Sequence, residues 1–331
     1  MKRSLSGIQP SGILHLGNYF GAMKQFIDIQ NGGQYDGFYF VADYHSLTSL
    51  TDPHSLKTNT YNIVLDYLAL GLDPQKSTIF LQSDVPEHTE LSWLLSNVTP
   101  VGLLERGHSY KDKIAKGIFP NTGLLTYPVL MAADILMYDT DVVPVGKDQK
   151  QHLEFARDIA AKFNQQYGVE LFKLPEPFIL DDSAVVPGTD GQKMSKSYGN
   201  TINMFASKKE LKKQVMSIVT DSTPLEDPKD PNNNVAKLYS LFATIEKQNE
   251  MKEKFLAGNY GYGHAKTEVL NAILDYFGEA REKREELAKN MDYVNDVLFE
   301  GGKKARAIAQ EKIMRAKEAV GIVGNLYKYT K

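Results

Sequence analysis

Ser4-Leu5-Ser6-Gly7-Ile8, then Leu16 to Ile29, then Phe38-Tyr39-Phe40-Val41-Ala42 read in succession as a short strand, a helix and a buried strand. A loop rich in Gly, Pro and Ser joins the first two. The same alternation continues downstream. Asp52-Pro53 supplies an N-cap and first-turn proline for a helix through Leu70. Thr78 to Leu81 reads as the next strand, Glu87 to Val98 as the next helix, Val142 to Val145 as a strand, and about Asp148 to Gln166 as a helix. Strands that alternate with helices in this way build a parallel sheet covered by helices on both faces. Such sheets bind ligands at the carboxyl ends of their strands.

The pattern changes after Asn200. Lys208 to Val219, Val235 to Lys247, Asn249 to Ala257 and Glu268 to Asn290 have helical spacing with no strand between them, and a turn-rich acidic stretch, Asp221 to Asn234, interrupts them. A last helix, Gly302 to Val320, is basic, with Lys303, Lys304, Arg306, Lys312, Arg315 and Lys317. It would either face nucleic acid or form a solvated face. The expected organisation is an α/β domain over residues 1–200, a helical domain over 201–300, and a basic C-terminal segment over 301–331 that packs back toward the first domain.

Composition narrows the function. A chain of 331 residues with a net charge of −3 is not a globally basic nucleic-acid binder, although local basic patches are compatible with that charge. It has no cysteine, which excludes disulfides and thiolate metal sites. Lys2-Arg3 is followed by a polar stretch rather than an apolar one, so no signal peptide is read. The apolar run Val129 to Tyr138 is too short to span a bilayer and carries Asp134. The expectation is a cytoplasmic protein with no membrane association.

Two fragments carry phosphate chemistry. His15-Leu16-Gly17-Asn18 ends the first loop and opens the first helix, where unpaired N–H groups and the helix dipole attract anions. Gly17 admits close approach, and His15 and Asn18 offer side-chain donors, while Ser11 and Gly12 could equally form a plain turn. Lys193-Met194-Ser195-Lys196-Ser197 sets two lysines and two hydroxyls within five residues, among Gly188, Gly191 and Gly199. Lysine is a compact, flexible charge suited to phosphate oxygens. Together the fragments would hold a triphosphate from both ends.

These two fragments resemble the paired signatures of class I aminoacyl-tRNA synthetases. Ser6 to Gly12, Leu130 to Leu136 and Val143 to His152 narrow the resemblance to the bacterial tryptophanyl-tRNA synthetases, in the family's order and over essentially the whole chain. The resemblance implies a Rossmann-type catalytic domain, a helical anticodon-binding domain and a homodimer. It also implies L-tryptophan, ATP with Mg2+ and a tRNA for tryptophan as substrates and partners, with no tightly bound cofactor and no structural metal. Tryptophan would be activated to its adenylate with release of pyrophosphate, then passed to the terminal adenosine of the tRNA. A tyrosyl enzyme or a small-molecule adenylyltransferase of the same superfamily is the alternative.

Carried over residue by residue, the resemblance implies ATP contacts at Gln9, Ser11, His15, Gly17 and Asn18, at Gly146 and Asp148, and at Lys193, Met194, Ser195 and Lys196. Lys196, Lys193 and Lys113 would carry the catalytic charge, with Arg106 and Lys111 near the last. Tryptophan would meet Asp134, Tyr127, Met131, Gln149, Gly7 and His45. Asp148 with Gln151 also fits a helix capping box. Members of the family often have Thr in place of His15 and an aromatic in place of Leu5. The histidines other than His15 show no metal-binding spacing.

Asp134 stands out on its own residues. On a helix its neighbours are Leu130, Met131, Met137 and Tyr138, so it is a carboxylate on an apolar face and is costly without a partner. A backbone N–H or a basic residue in the core would serve. The N–H of an indole, a donor without acceptor capacity, would serve as well.

Overall fold

The computed structural model describes residues 1–107, 110–111, 121–144, 150–178 and 186–323. Five parallel strands, β1 (Lys2–Ile8), β2 (Tyr35–Val41), β3 (Ser77–Leu81), β4 (Val142–Pro144) and β5 (Glu176–Phe178), form one sheet in the order β3-β2-β1-β4-β5. This is the doubly wound α/β arrangement expected from the alternation. The order reverses between β1 and β4, which leaves a crevice at their carboxyl ends.

Side chains alternate across the sheet as strand geometry requires. On β2, Phe38 and Phe40 enter one core and Tyr39 and Val41 the other. On β3, Phe80 and Ile79 divide in the same way. Leu5 of β1 is fully buried beside Phe38 and Phe40. Pairing of Gly7 with Phe40 brings the Phe40 ring over the glycine, where a Cβ would lie 2.6 Å from it. Gly7 is therefore required by packing inside the sheet.

The helix after β1 is not continuous. It begins as α1 (Leu16–Asn18), widens into a π-helical stretch at Tyr19–Met23, and resumes as α2 (Lys24–Gly32). Widened turns of this kind concentrate at functional sites. After β2 come the short α3 (Asp43–Ser46) and α4 (Pro53–Leu70). The Asp52 carboxylate accepts the Ser55 N–H at 2.8 Å, as the cap signal requires. The helices α5 (Glu87–Ser96), α6 (Val101–Glu105), α7 (Thr122–Leu136) and α8 (Lys150–Tyr167) complete the α/β layer.

The remainder is helical: α9 (Lys208–Met216), α10 (Asn234–Tyr239), α11 (Ile245–Ala257), α12 (Tyr262–Tyr276), α13 (Gly278–Lys289) and α14 (Met291–Ala319). Two expected helices divide. The run Val235 to Lys247 breaks at Ser240 to Thr244, where Thr244 caps α11, and Glu268 to Asn290 breaks at Phe277. The last helix starts eleven residues earlier than its basic stretch, at Met291 rather than Gly302.

The solvated-face expectation holds for Lys303, Lys304, Arg306 and Arg315 of α14, which are exposed, while the opposite side of the helix is buried. Gly301 lies so close to β3 that a Cβ would stand 1.8 Å from the Ile79 carbonyl, and Ala305, Ala309, Ile313 and Ala316 join the sheet's core. Its cations pair with the α/β layer: Lys304 with Asp36 at 3.6 Å, Arg306 with Glu87 at 3.0 Å, buried Lys312 with Asp139 at 2.5 Å, and Lys317 with Glu90. These four pairs clasp α14 to the α/β layer. Among the described residues, no helix is long and apolar enough to cross a membrane.

Candidate functional site

The two phosphate-handling fragments meet. The Gly17 N–H points at the Met194 sulfur at 3.4 Å, and the Leu16 N–H donates to the Ile202 carbonyl at 3.0 Å. The start of α1 is thus not an open row of free N–H groups, as the sequence led us to expect. A thioether is a weak acceptor, so the Gly17 donor is the one a phosphate oxygen would reclaim. A Cβ on Gly17 would lie 3.0 Å from the His15 ring and 3.3 Å from Met194, which explains the glycine. Asn18 turns back, its Oδ1 accepting the His15 N–H at 3.1 Å.

His15 is buried, and its Nδ1 has no protein hydrogen-bond partner. Burial, with the Lys196 charge second, holds its pKa down at about 4, so the ring is neutral near pH 7. Lys196 reaches back over the first loop: a Cβ on Gly12 would lie 3.4 Å from its Nζ. Lys196 remains exposed as a residue, and partial burial of its amine lowers the pKa to about 8.

Asn200, which the sequence reading passed over, organises the lysine loop. It is buried and accepts the Ser195 N–H at 2.8 Å. Its amide donates to the Lys193 carbonyl at 3.1 Å and to Asp190 at 2.7 Å. Ser195 and Ser197 share a hydrogen bond of 2.9 Å. Ser11 and Gln9 lie exposed at the carboxyl end of β1, where the Ser11 N–H donates to the Gln9 carbonyl at 2.8 Å. Arg106 and Lys111 are exposed on the same domain. Lys113, Gly146, Asp148 and Gln149 lie outside the described residues.

Asp134, near the end of α7, is 1 % exposed. Three side chains from three other segments converge on it. His45 of α3 bonds Oδ2 at 2.8 Å, and His88 of α5 bonds Oδ1 at 2.5 Å. Gln82, directly after β3, spans both oxygens at 2.8 and 3.0 Å. Burial pushes the carboxyl upward, but His88 and His45 outweigh it, and the net pKa falls below the usual carboxylate range. Partners in the core, one of the readings open at the sequence level, are what the structure contains. They leave the group anionic and acceptor-only. The histidines lack metal spacing in sequence yet cluster on a carboxylate in space. Among the described residues, no group of three or more His, Cys, Asp or Glu is placed to hold a metal ion.

Behind His88 stands Tyr138, its hydroxyl 2.5 Å from Nε2. Tyr127 and Met131 are half-buried on the same helix as Asp134. The Tyr127 hydroxyl bonds His152 of α8 at 2.8 Å. Gln82, His88 and His152 were missed as site residues. Gln82 carried a readable signal, its position at the carboxyl end of a strand; the other two carried none.

The joined segments around Gly17 and Lys196 and a buried anionic acceptor thus flank the carboxyl ends of β1 to β3. The profile of the family described as tRNA synthetases class I (W and Y) matches residues 2–278. The chain belongs to this family. It is 82% identical to a tryptophan–tRNA ligase of Fusobacterium nucleatum over 327 residues, covering 99% of this chain and 100% of the relative. It is 54% identical to that of Campylobacter jejuni, covering 97% of this chain and 100% of the relative. A crystal structure of the Campylobacter jejuni tryptophanyl-tRNA synthetase complexed with ADP and tryptophan superposes with a TM-score of 0.91 at 54% identity, covering 96% of this chain and 99% of that one. A tyrosyl-tRNA synthetase from Archaeoglobus fulgidus shares the fold alone, at 20% identity and a TM-score of 0.63 over 86% of this chain and 90% of that one.

Proposed function

We propose that this class I synthetase is a tryptophan–tRNA ligase: it joins L-tryptophan to ATP, releasing pyrophosphate, and transfers the tryptophanyl group to the terminal adenosine of its tRNA. The tyrosyl and small-molecule alternatives give way to relatives at high identity over the full length. The observation that carries the substrate reading is Asp134, an anionic carboxylate 1 % exposed at the end of α7. Gln82 shares one amide nitrogen between both of its oxygens. If that nitrogen moves onto one oxygen, the other gains a lone pair for the indole N–H. Sites built to bind a donor reject analogues lacking it by roughly 10⁴–10⁵-fold. Met131 and His45 would line the indole, and Tyr127 and Gln149 would meet the amino-acid end, with Gly7 at the strand beneath.

At the other end, Lys193 and Lys196, with Gly17, Asn18 and His15, would hold the phosphates of MgATP, joined by Lys113. Gln9, Ser11, Gly146 and Asp148 would line the nucleoside side, and Met194 and Ser195 the loop that closes on it. The tryptophan carboxylate attacks the α-phosphate; the bond to the bridging oxygen breaks, and pyrophosphate leaves toward the lysines. No covalent enzyme intermediate is required, so positioning and charge carry the rate. The helical part after Asn200 would read the anticodon, two copies of the chain would form the working dimer, and the reaction belongs in the cytoplasm with translation.

ATP–pyrophosphate exchange with each standard amino acid tests the reading. Exchange with tryptophan alone is expected, and its KM should rise steeply in Asp134→Ala while the KM for ATP stays near its original value. Exchange with tyrosine but not tryptophan would overturn the specificity.

A further inference from the structure

We infer that His88, held by Tyr138, is a positioning residue for tryptophan recognition: it touches no substrate but fixes the direction in which Asp134 can accept a hydrogen bond. The inference rests on the reading that Asp134 takes the indole N–H.

His88 is fully buried, its ring packed among Phe40, Phe80 and Tyr138 at centroid distances of 6.2, 6.3 and 5.5 Å. Tyr138 is also fully buried; burial first, and the Asp134 charge second, push its hydroxyl well above the usual range. It therefore keeps its O–H proton, which the inference assigns to a hydrogen bond onto His88 Nε2. A ring that accepts at Nε2 carries its proton on Nδ1, and Nδ1 faces Asp134 Oδ1 at 2.5 Å. The chain of donors runs one way, from Tyr138 through His88 to Asp134.

A carboxylate has about four lone-pair sites. His88 takes one on Oδ1 and His45 one on Oδ2, while Gln82 straddles the two oxygens. With Gln82 drawn onto one oxygen, the site that opens admits a single donor and repels an acceptor. Without His88, Oδ1 regains a free lone pair, the carboxylate is no longer locked, and selection for an N–H ligand relaxes. Buried charged clusters of this kind are seldom better for stability than apolar packing of equal volume. Direction is what this one supplies.

The test compares ATP–pyrophosphate exchange supported by L-tryptophan and by its benzothiophene isostere, which carries sulfur in place of the indole N–H. In His88→Leu the KM for tryptophan should rise about 5- to 150-fold, the range for a buried partner lost, with kcat within about threefold and the KM for ATP unchanged. His88→Asn, whose amide N–H occupies the place of Nδ1, should recover most of that loss. Tyr138→Phe should raise the tryptophan KM several-fold in the native chain and add nothing in the His88→Leu background. An unchanged tryptophan KM in His88→Leu, an equal rise for ATP, or no recovery in His88→Asn would overturn the inference. If His88→Leu does not fold, Tyr138→Phe decides alone, and an unchanged KM there is fatal. Asp134→Asn separates the two levels. If it keeps the preference for tryptophan over the isostere, the Asp134 reading fails. If it loses that preference while the His88 and Tyr138 variants keep it, only the present inference fails.

Discussion

Lys196 gives the sharpest pH dependence. Its amine is tucked against the Gly12 loop, and burial lowers its pKa from 10.5 to about 8. Deprotonation removes the positive charge that would follow the pyrophosphate, so activity is lost as pH rises. If only the charged form is productive, kcat/KM for ATP, which reports groups of the free enzyme, should fall about twofold at pH 8 and about tenfold at pH 9. Bound phosphates favour the charged amine, so the corresponding limb of kcat should lie at higher pH than that of kcat/KM. The assay is ATP–pyrophosphate exchange at saturating tryptophan, from about pH 6.5 to 9.5, with ATP varied at each pH. In Lys196→Arg the guanidinium stays charged throughout the assayed range, so the limb should leave it even if the plateau drops. A native profile flat to the top of that range would refute the reasoning. So would an arginine variant that keeps the original limb, because another group would then own the titration.

Three further predictions concern the supports of the site. Arg284 of α13 bonds Asp66 of α4 at 2.5 Å, and burial, opposed by Arg284, raises the Asp66 pKa to about 6. A raised carboxyl stabilises the fold below its unfolded pKa of 3.8 and loses that contribution as pH climbs through about 6. Arg284→Met should therefore cost about 3 kcal/mol near pH 7 and less near pH 5, read by urea unfolding at both; equal deficits would contradict the account. Gly188→Ala would set a methyl 2.2 Å from the Asn200 amide. It should disturb the lysine loop and lower the exchange kcat on the order of 10²-fold with tryptophan affinity unchanged by equilibrium dialysis; an unaltered kcat would show that Asn200 does not hold the loop. Gly301→Ala should lift α14 from β3 at about 1–3 kcal/mol, visible as a lower Tm, and an unchanged Tm would deny the close approach.

The sheet was legible because its strands and helices repeat in local patterns, and the cap at Asp52 is local chemistry. The helical part was less so. Nothing in the spacing of Val235 to Lys247 announced a break, because Ser240 to Thr244 leave the helix to meet tertiary contacts. Gly302 to Val320 left a nucleic-acid face and a solvated face both open because sequence shows the cations of α14 and hides Asp36, Glu87, Asp139 and Glu90, each far away in the chain. The two fragments around Gly17 and Lys196 could be picked out for the same reason as that cap: each is contiguous. Asp134 was readable because a carboxylate on an apolar helix is anomalous by itself. His88 and Gln82 were not, since their meaning exists only where β3, α5 and α7 come together.

The division between the two ends of the site follows from what each must do. Phosphate needs mobile charge and backbone donors, which a loop and a helix start supply from a few consecutive residues. A side chain such as indole needs a dry cavity with one directed acceptor, and a dry cavity is made by several elements closing on one another. His45, Gln82 and His88 accordingly reach Asp134 from α3, the end of β3 and α5, with Tyr138 behind His88. Altering the amino acid would mean rebuilding a packed core, whereas the phosphate grip needs no rebuilding. On the proposed reading, specificity lies in the interior donors around one carboxylate, beyond the residues that line the pocket.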